Sequence, residues 1–241
     1  MHPNITERTI KIFGLSEAEI AKKLESEPLG IPDVSVSFVN IFPEVHLRLR
    51  ATELTTDLMT ACHSIAEKVG KQYVVSDDSE ISFAENILNI LRTKKVSISF
   101  AESCTGGLIS AMITDIPGSS EHFAGAIVSY SNESKIRLLE VDSELIENDG
   151  AVSSSVAAAM ARGARKRFQT HYAVSVTGIA GPTGGSTEKP VGTFYVGLAC
   201  DNGITSYKFF HPSTRQEVRT YAAYAALNVL RCSIFDFSIP Q

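Results

Sequence analysis

Several things are scarce in this 241-residue sequence, and each scarcity excludes a class of protein. Cysteine occurs four times, as Cys62, Cys104, Cys200 and Cys232. No two form a CxxC pair, so zinc-ligand spacing is absent, and a chain this long needs no disulfide framework to hold its core. Such usage suits a reducing, cytoplasmic setting. Long apolar runs are missing as well. None reaches the length of a membrane span, and the opening MHPNITERTIK holds no apolar signal core. A soluble chain with no membrane partner is expected. Positive charge is in deficit: 22 Lys and Arg against 27 Asp and Glu, a net charge of −5. That argues against a nucleic-acid partner, which usually demands a basic face. The standard phosphate and nucleophile fingerprints GxxxxGK[ST], GxGxxG and GxSxG are absent. The histidines are scattered with no metal spacing, so no metal is expected.

What is present is ordinary globular material, 44% hydrophobic and 20% charged. Residues 1–75 read as a small α+β unit. ERTIKIFGLS is a strand ending at Gly14, and Ser16 with Glu19 forms a capping box for the helix EAEIAKKLES. Val34 to Asn40 and Glu44 to Ala51 alternate apolar and polar residues, as strands do, with Pro43 in the turn. TTDLMTACHSIAEKVG is a helix stopped by Gly70, and a short strand follows at Tyr73 to Val75. Residues 76–81 are polar and acidic, a linker.

Residues 82–241 alternate helices with apolar strands. A helix lies in FAENILNILRTKK, and strands lie at Val96 to Phe100, Gly125 to Ser129 and Tyr172 to Val176. Helices cover Leu108 to Thr114, the neighbourhood of Ile136, and Ser154 to Phe168. Two late strands, Thr193 to Ala199 and Thr205 to Phe210, precede a helix over Arg215 to Leu230. The alternation predicts an α/β sandwich with a largely parallel sheet. The late strands, joined by CDNGI, read as a hairpin with Asn202-Gly203 at its turn, which makes the sheet mixed.

Sites in open α/β sheets form at the carboxyl ends of strands. Two such ends are rich in small and polar residues: AESCTGG after Phe100 and VTGIAGPTGG after Val176. The first is either a tight turn with Thr105 as helix N-cap, or an anion cradle and nucleophile turn in one. The second is either a surface loop or the other wall of a shared crevice. In VSYSNESKI, Asn132 is positioned to cap the next helix, with Tyr130 at the strand end and Lys135 in the first helical turn. A cation there opposes the helix dipole, which lowers its pKa, and burial would lower it further; a solvated surface lysine is the alternative. Arg215 and Arg219 stand four apart on one helix face, suited to a phosphate or carboxylate, or to an ion pair with Glu217.

In combination, AESCTGGLISAMITDIPGSS, GAIVSYSNESKIRLLEV, VTGIAGPTGG and KPVGTFYVGLA resemble the CinA C-terminal domain family, the bacterial nicotinamide-nucleotide amidases. The resemblance covers residues 82–232. Residues 1–75 resemble the KH-type middle domain of full-length CinA proteins, whose larger N-terminal pyrophosphatase domain has no counterpart in this sequence. The resemblance implies a three-layer α/β/α sandwich with a mixed sheet, preceded by the small α+β KH-like domain, in a homodimer. It implies hydrolysis of the carboxamide of nicotinamide mononucleotide to nicotinate mononucleotide and ammonia, without metal or cofactor.

Carried onto this chain, Ser103 is the nucleophile or water-orienting hydroxyl, Tyr130 and Lys135 supply acid–base chemistry, and Thr177 shares the site. Lys135 reaches Ser103 directly or through Tyr130. Glu102, Thr105, Gly106 and Gly107 are substrate-binding residues: Glu102 orients the turn, Thr105 caps the helix and the two glycines let phosphate or substrate approach, with N–H groups near Thr105 and Gly106 as oxyanion donors. Gly178 and Ala180 offer further backbone donors, and Arg215 or Arg219 holds the 5′-phosphate. The family often has Gly-Asp before the first arginine, where this sequence has Ser213-Thr214. Two other readings stand beside the amidase: a non-hydrolytic nucleotide-binding or regulatory CinA-like protein, and an RNA-binding module. Against the latter, residues 1–75 hold no GxxG loop.

Overall fold

Apolar–polar alternation builds the first sheet of the computed structural model, which describes residues 6–25, 34–51 and 58–240. The chain divides into two units, residues 1–86 with 237–240 and residues 87–236 with 241. The first contains β1 (Thr6–Phe13), α1 (Glu17–Glu25), β2 (Val34–Ile41), β3 (Glu44–Ala51), α2 (Leu58–Val69) and β4 (Val74–Ser76). Its antiparallel sheet has the order β2-β3-β1-β4. Alternate residues of β3 (Val45, Leu47, Leu49 and Ala51) join Ile10, Ile12, Ile20 and Ile65 in one core. The Ser16–Glu19 box is present: the Glu19 carboxylate accepts from the Ser16 N–H at 2.8 Å, and the Glu19 N–H donates to Ser16 Oγ at 3.3 Å. The expected start of the second helix, at residues 55–57, lies outside the described residues.

Next come α3 (Phe83–Lys94), β5 (Ile98–Glu102), α4 (Leu108–Thr114), β6 (Phe123–Val128), α5 (Asn132–Leu139), α6 (Ser143–Asp149) and α7 (Ser154–Phe168). Strands β7 (Tyr172–Gly178), β8 (Thr193–Cys200) and β9 (Gly203–Phe210) precede α8 (Arg215–Ile234). The second sheet has the order β6-β5-β7-β8-β9. Its first three strands are parallel and its last two pairings antiparallel, so the mixed sheet is present. Helix α7, backed by α5 and α6, covers one face, while α4 and α8 cover the other. This is the expected three-layer sandwich. Covering on both faces explains why β5 is buried along its whole length. Small residues let α7 sit close: a Cβ on Gly197 of β8 would come within 2.2 Å of the Ala157 carbonyl oxygen.

Several local expectations are corrected. Strand β5 runs on to Glu102, so Ser103 stands at its carboxyl end rather than further along a loop. Helix α6 was not expected; it has seven residues and one buried side chain, Ile146, too little for a periodic signal. Cys200 pairs with Gly203, so the hairpin turn is Asp201-Asn202 and Gly203 already belongs to β9. Helix α8 continues past Leu230 to Ile234.

Candidate active site

The turn between β5 and α4 is held from three sides. The Ser103 N–H donates to the Val176 carbonyl of neighbouring β7 at 3.0 Å, and the Gly106 N–H donates to the Ser103 carbonyl at 3.1 Å. Gly106 and Gly107 have φ of 62° and 94°, left-handed values that glycine adopts without a Cβ clash. The third tie is Glu102, wholly buried. Its carboxylate accepts from the Gly107, Ile109 and Ser110 N–H groups and from the Ser110 hydroxyl. Glu102 therefore caps α4, a role expected of Thr105. The Thr105 hydroxyl is buried and has no hydrogen-bond partner among the described residues. The Gly106 N–H is taken by Ser103, so it is not the oxyanion donor expected of it; the Thr105 N–H is used by no described residue.

Lys135 reaches the same turn from the first turn of α5, which follows the neighbouring strand β6. Ser131, not Asn132, caps α5: its hydroxyl accepts from the Ser134 N–H, and Ser134 answers from its own side chain. That places Lys135 on the inner face, 2% exposed. Its Nζ donates to Ser103 Oγ at 3.0 Å and to the Ser129 carbonyl at 2.9 Å. Burial pushes the ammonium pKa down, against a smaller opposing effect of the Cys104 thiol. In the neutral amine the contact reverses, and the Ser103 hydroxyl donates to Nζ. A proton route from serine to lysine thus exists without a relay. Tyr130 is no such relay: it is 61% exposed, and its hydroxyl accepts from Arg215 Nη2 at 2.9 Å.

A cavity of about 230 Å³ opens on this pair, and Tyr130, Thr177, Gly178, Ala180 and Arg215 line it as well. The Thr177 hydroxyl donates to the Ala151 carbonyl at 2.7 Å, which fixes the side chain at the end of β7. Gly178 is a glycine for space, since a Cβ there would lie 2.4 Å from Phe194 Cβ and 3.0 Å from Cys104 Sγ. Arg215 also donates to the Gly181 carbonyl at 2.8 Å. An adjoining cavity of about 340 Å³ shares Arg215 and adds Gln216, Arg219 and Thr220. There Arg219 Nη2 donates to the Thr105 carbonyl at 2.8 Å. Thr214 caps α8 in a capping box with Glu217, which sets both arginines on its first turns.

Seven of the expected residues therefore meet at one cavity and Arg219 at its neighbour. Glu102, Thr105, Gly106 and Gly107 build the turn without lining either. Sequence reasoning missed Asn132, Ala151 and Val152 as lining residues, and Cys104 as more than core. The signal for Asn132 was the Ser131-x-x-Ser134 box, weaker than the usual Ser-x-x-Glu. Cys104 touches the cavity, yet burial raises its thiol to about 12, which makes it a poor nucleophile.

The CinA C-terminal domain profile matches residues 80–234. The chain belongs to the CinA C-terminal domain family. A CinA-like protein of Geotalea uraniireducens (strain Rf4) is 41% identical over 228 residues, which is 93% of this chain and 54% of that protein. Another CinA-like protein, from Syntrophomonas wolfei subsp. wolfei, is 41% identical over 94% of this chain and 55% of its own length. The chain thus spans about half the length of the curated CinA relatives it matches. The crystal structure of the competence/damage inducible protein CihA from Agrobacterium tumefaciens is similar at 38% identity and a TM-score of 0.61, covering 63% of this chain and 93% of that one.

Proposed function

We propose that this chain hydrolyses the carboxamide of nicotinamide mononucleotide to nicotinate mononucleotide and ammonia. The observation that carries the reading is the buried contact of 3.0 Å between Lys135 Nζ and Ser103 Oγ. A lysine whose pKa is lowered by burial serves as general base for a serine hydroxyl. In the first half-reaction neutral Lys135 takes the Ser103 proton while Oγ bonds to the carboxamide carbon. Of the turn's backbone N–H groups, those of Cys104 and Thr105 are given to no other described residue, and Cys104 lines the cavity, so the Cys104 N–H is the donor offered to the developing oxyanion. As the C–N bond breaks, Lys135 returns the proton to the departing ammonia. Water then attacks the acyl-serine and gives a proton to Lys135; as the C–Oγ bond breaks, Lys135 passes that proton to Oγ, which releases the acid and restores both Ser103 and the neutral amine.

The cations fit the rest of the substrate. Arg215 stands between the two cavities and Arg219 in the second, so a 5′-phosphate has guanidinium partners in reach of a ring bound near Ser103. Ammonia release from nicotinamide mononucleotide without added metal, for wild type and Ser103→Ala, tests the reading. Release by wild type and its near loss in the variant is expected. Unchanged release in the variant would remove Ser103 from the chemistry. No release by folded wild type would leave a nucleotide-binding or regulatory role. Single-turnover trapping of an acyl-enzyme separates serine attack from direct activation of water by the same residues.

A further inference from the structure

We propose that Glu102 is the positioning residue of the Ser103 turn: its buried carboxylate, gathering the first N–H groups of α4, holds the Ser103 hydroxyl against Lys135. The resemblance implies Glu102 as a substrate-binding residue that also orients the turn. Its surroundings leave no room for substrate contact. The side chain is 0% exposed and four donors occupy its two oxygens. One oxygen takes the Gly107 N–H at 2.9 Å and the Ile109 N–H at 3.2 Å; the other takes the Ser110 N–H at 2.9 Å and the Ser110 hydroxyl at 2.6 Å. An acceptor-only group meets donors alone, so the arrangement is complementary to the carboxylate form.

The reason such a tie is needed lies in the turn. Between Glu102 and Leu108 stand Ser103, Cys104, Thr105 and two left-handed glycines, the residue type with the most backbone freedom. The residue at the cap position of α4 is Gly107, which has no side chain to cap with, and the Thr105 hydroxyl makes no cap either. Glu102 is the last residue of β5 and reaches across the whole turn to the first residues of α4. It therefore fastens both ends of the segment that carries Ser103. A nearby orphan supports the division of labour: hydroxyl Thr105 Oγ1, the ordinary capping choice, is buried without a partner among the described residues, so α4 relies on Glu102 alone for its side-chain cap.

Glu102→Gln keeps the shape but replaces one oxygen by an NH₂ group. Whichever way the amide turns, a donor faces backbone N–H groups, and at least one loses its acceptor. A small displacement of Ser103 follows, and misplacement of a reacting group by about 1 Å costs on the order of 10²-fold in rate. The inference rests on the Ser103–Lys135 reading for its kinetics, so a second readout is independent of substrate. A fluorophosphonate phosphonylates an activated serine: Oγ bonds to phosphorus, fluoride leaves, and the hydroxyl proton passes to Lys135. Intact mass reports the adduct.

In Glu102→Gln, kcat for ammonia release and the labelling rate are expected to fall together by about 100-fold. KM should stay as in wild type, because Glu102 lines neither cavity and makes no substrate contact. Folding is checked by thermal melting, and Glu102→Asp, which keeps the charge but shortens the reach, gives an intermediate loss should the glutamine variant not fold. Wild-type labelling in a folded Glu102→Gln overturns the proposal. A shifted pH midpoint with the labelling rate at pH extremes unchanged also overturns it, since Glu102 would then act by charge on Lys135. A wild type that labels yet releases no ammonia removes the amidase reading and leaves the labelling arm to decide this one. A wild type that does neither overturns both.

Discussion

Replacing Lys135 by Met removes a buried amine while keeping an unbranched side chain of similar length, so little repacking is required. Nζ makes two hydrogen bonds, to Ser103 Oγ and to the Ser129 carbonyl. The first is the proposed proton route. Its loss removes general-base assistance, worth about 10²- to 10⁴-fold in rate. At 1.36 kcal/mol per decade this is ~3–5 kcal/mol of transition-state stabilisation. The second bond acts on stability, since the Ser129 carbonyl loses a donor, at about 1–3 kcal/mol. An opposite effect depends on pH. Burial lowers the Lys135 pKa in the folded state below its unfolded value of about 10.4. The native state then binds fewer protons than the unfolded state between the two values. Stability from this residue is present above the unfolded pKa and is lost as pH falls through the folded pKa. Lys135→Met has no such loss. Its melting temperature relative to wild type should be lowest near about pH 10 and climb as pH falls. Thermal melts across pH, with ammonia release on the same samples, provide the assay. A variant within tenfold of wild-type activity, or a melting difference that does not change with pH, would refute the reasoning.

Two further predictions follow from geometry outside the proton route. Gly178→Ala puts a Cβ 2.4 Å from Phe194 Cβ and 3.1 Å from Phe194 Cα, backbone-linked atoms that yield little. The expected result is a loss of about 1–3 kcal/mol in denaturant unfolding with a fall in activity, and an unchanged midpoint would refute it. Cys104 is 6% exposed and its thiol is raised to about 12, so iodoacetamide at about pH 8 should leave it intact in the native protein and modify it in urea. Peptide mass mapping checks this, and rapid native alkylation of Cys104 would show that the burial is wrong. In wild type, log kcat/KM should rise with pH to a midpoint below the unperturbed lysine value, since neutral Lys135 is the active form.

Local physics was sufficient for the layers of the second unit. Its strands are apolar runs because both sheet faces are covered, and the helical segments between them, α7 and α8 included, were readable without a structure, although the Ser153 and Thr214 caps that start those two were not. The chemistry of the strand ends was also legible, because small and polar residues cluster where such sheets place their sites. What the sequence did not decide is which side chain does which task. Thr105, Asn132 and Glu102 are all plausible local caps or contacts. Only packing showed that Ser131 caps α5 and that Glu102, reaching eight residues along the chain to Ser110, caps α4. Short-range rules weigh partners three or four residues apart, so a cap reached across a turn escapes them. Likewise, the sequence placed Lys135 in a first helical turn but left its burial open. Tertiary structure decided it, because β5 and β6 are neighbours in the sheet and bring residues 32 apart in sequence to a 3.0 Å contact. That proximity, together with the water it excludes, turns a surface-type residue into a candidate base.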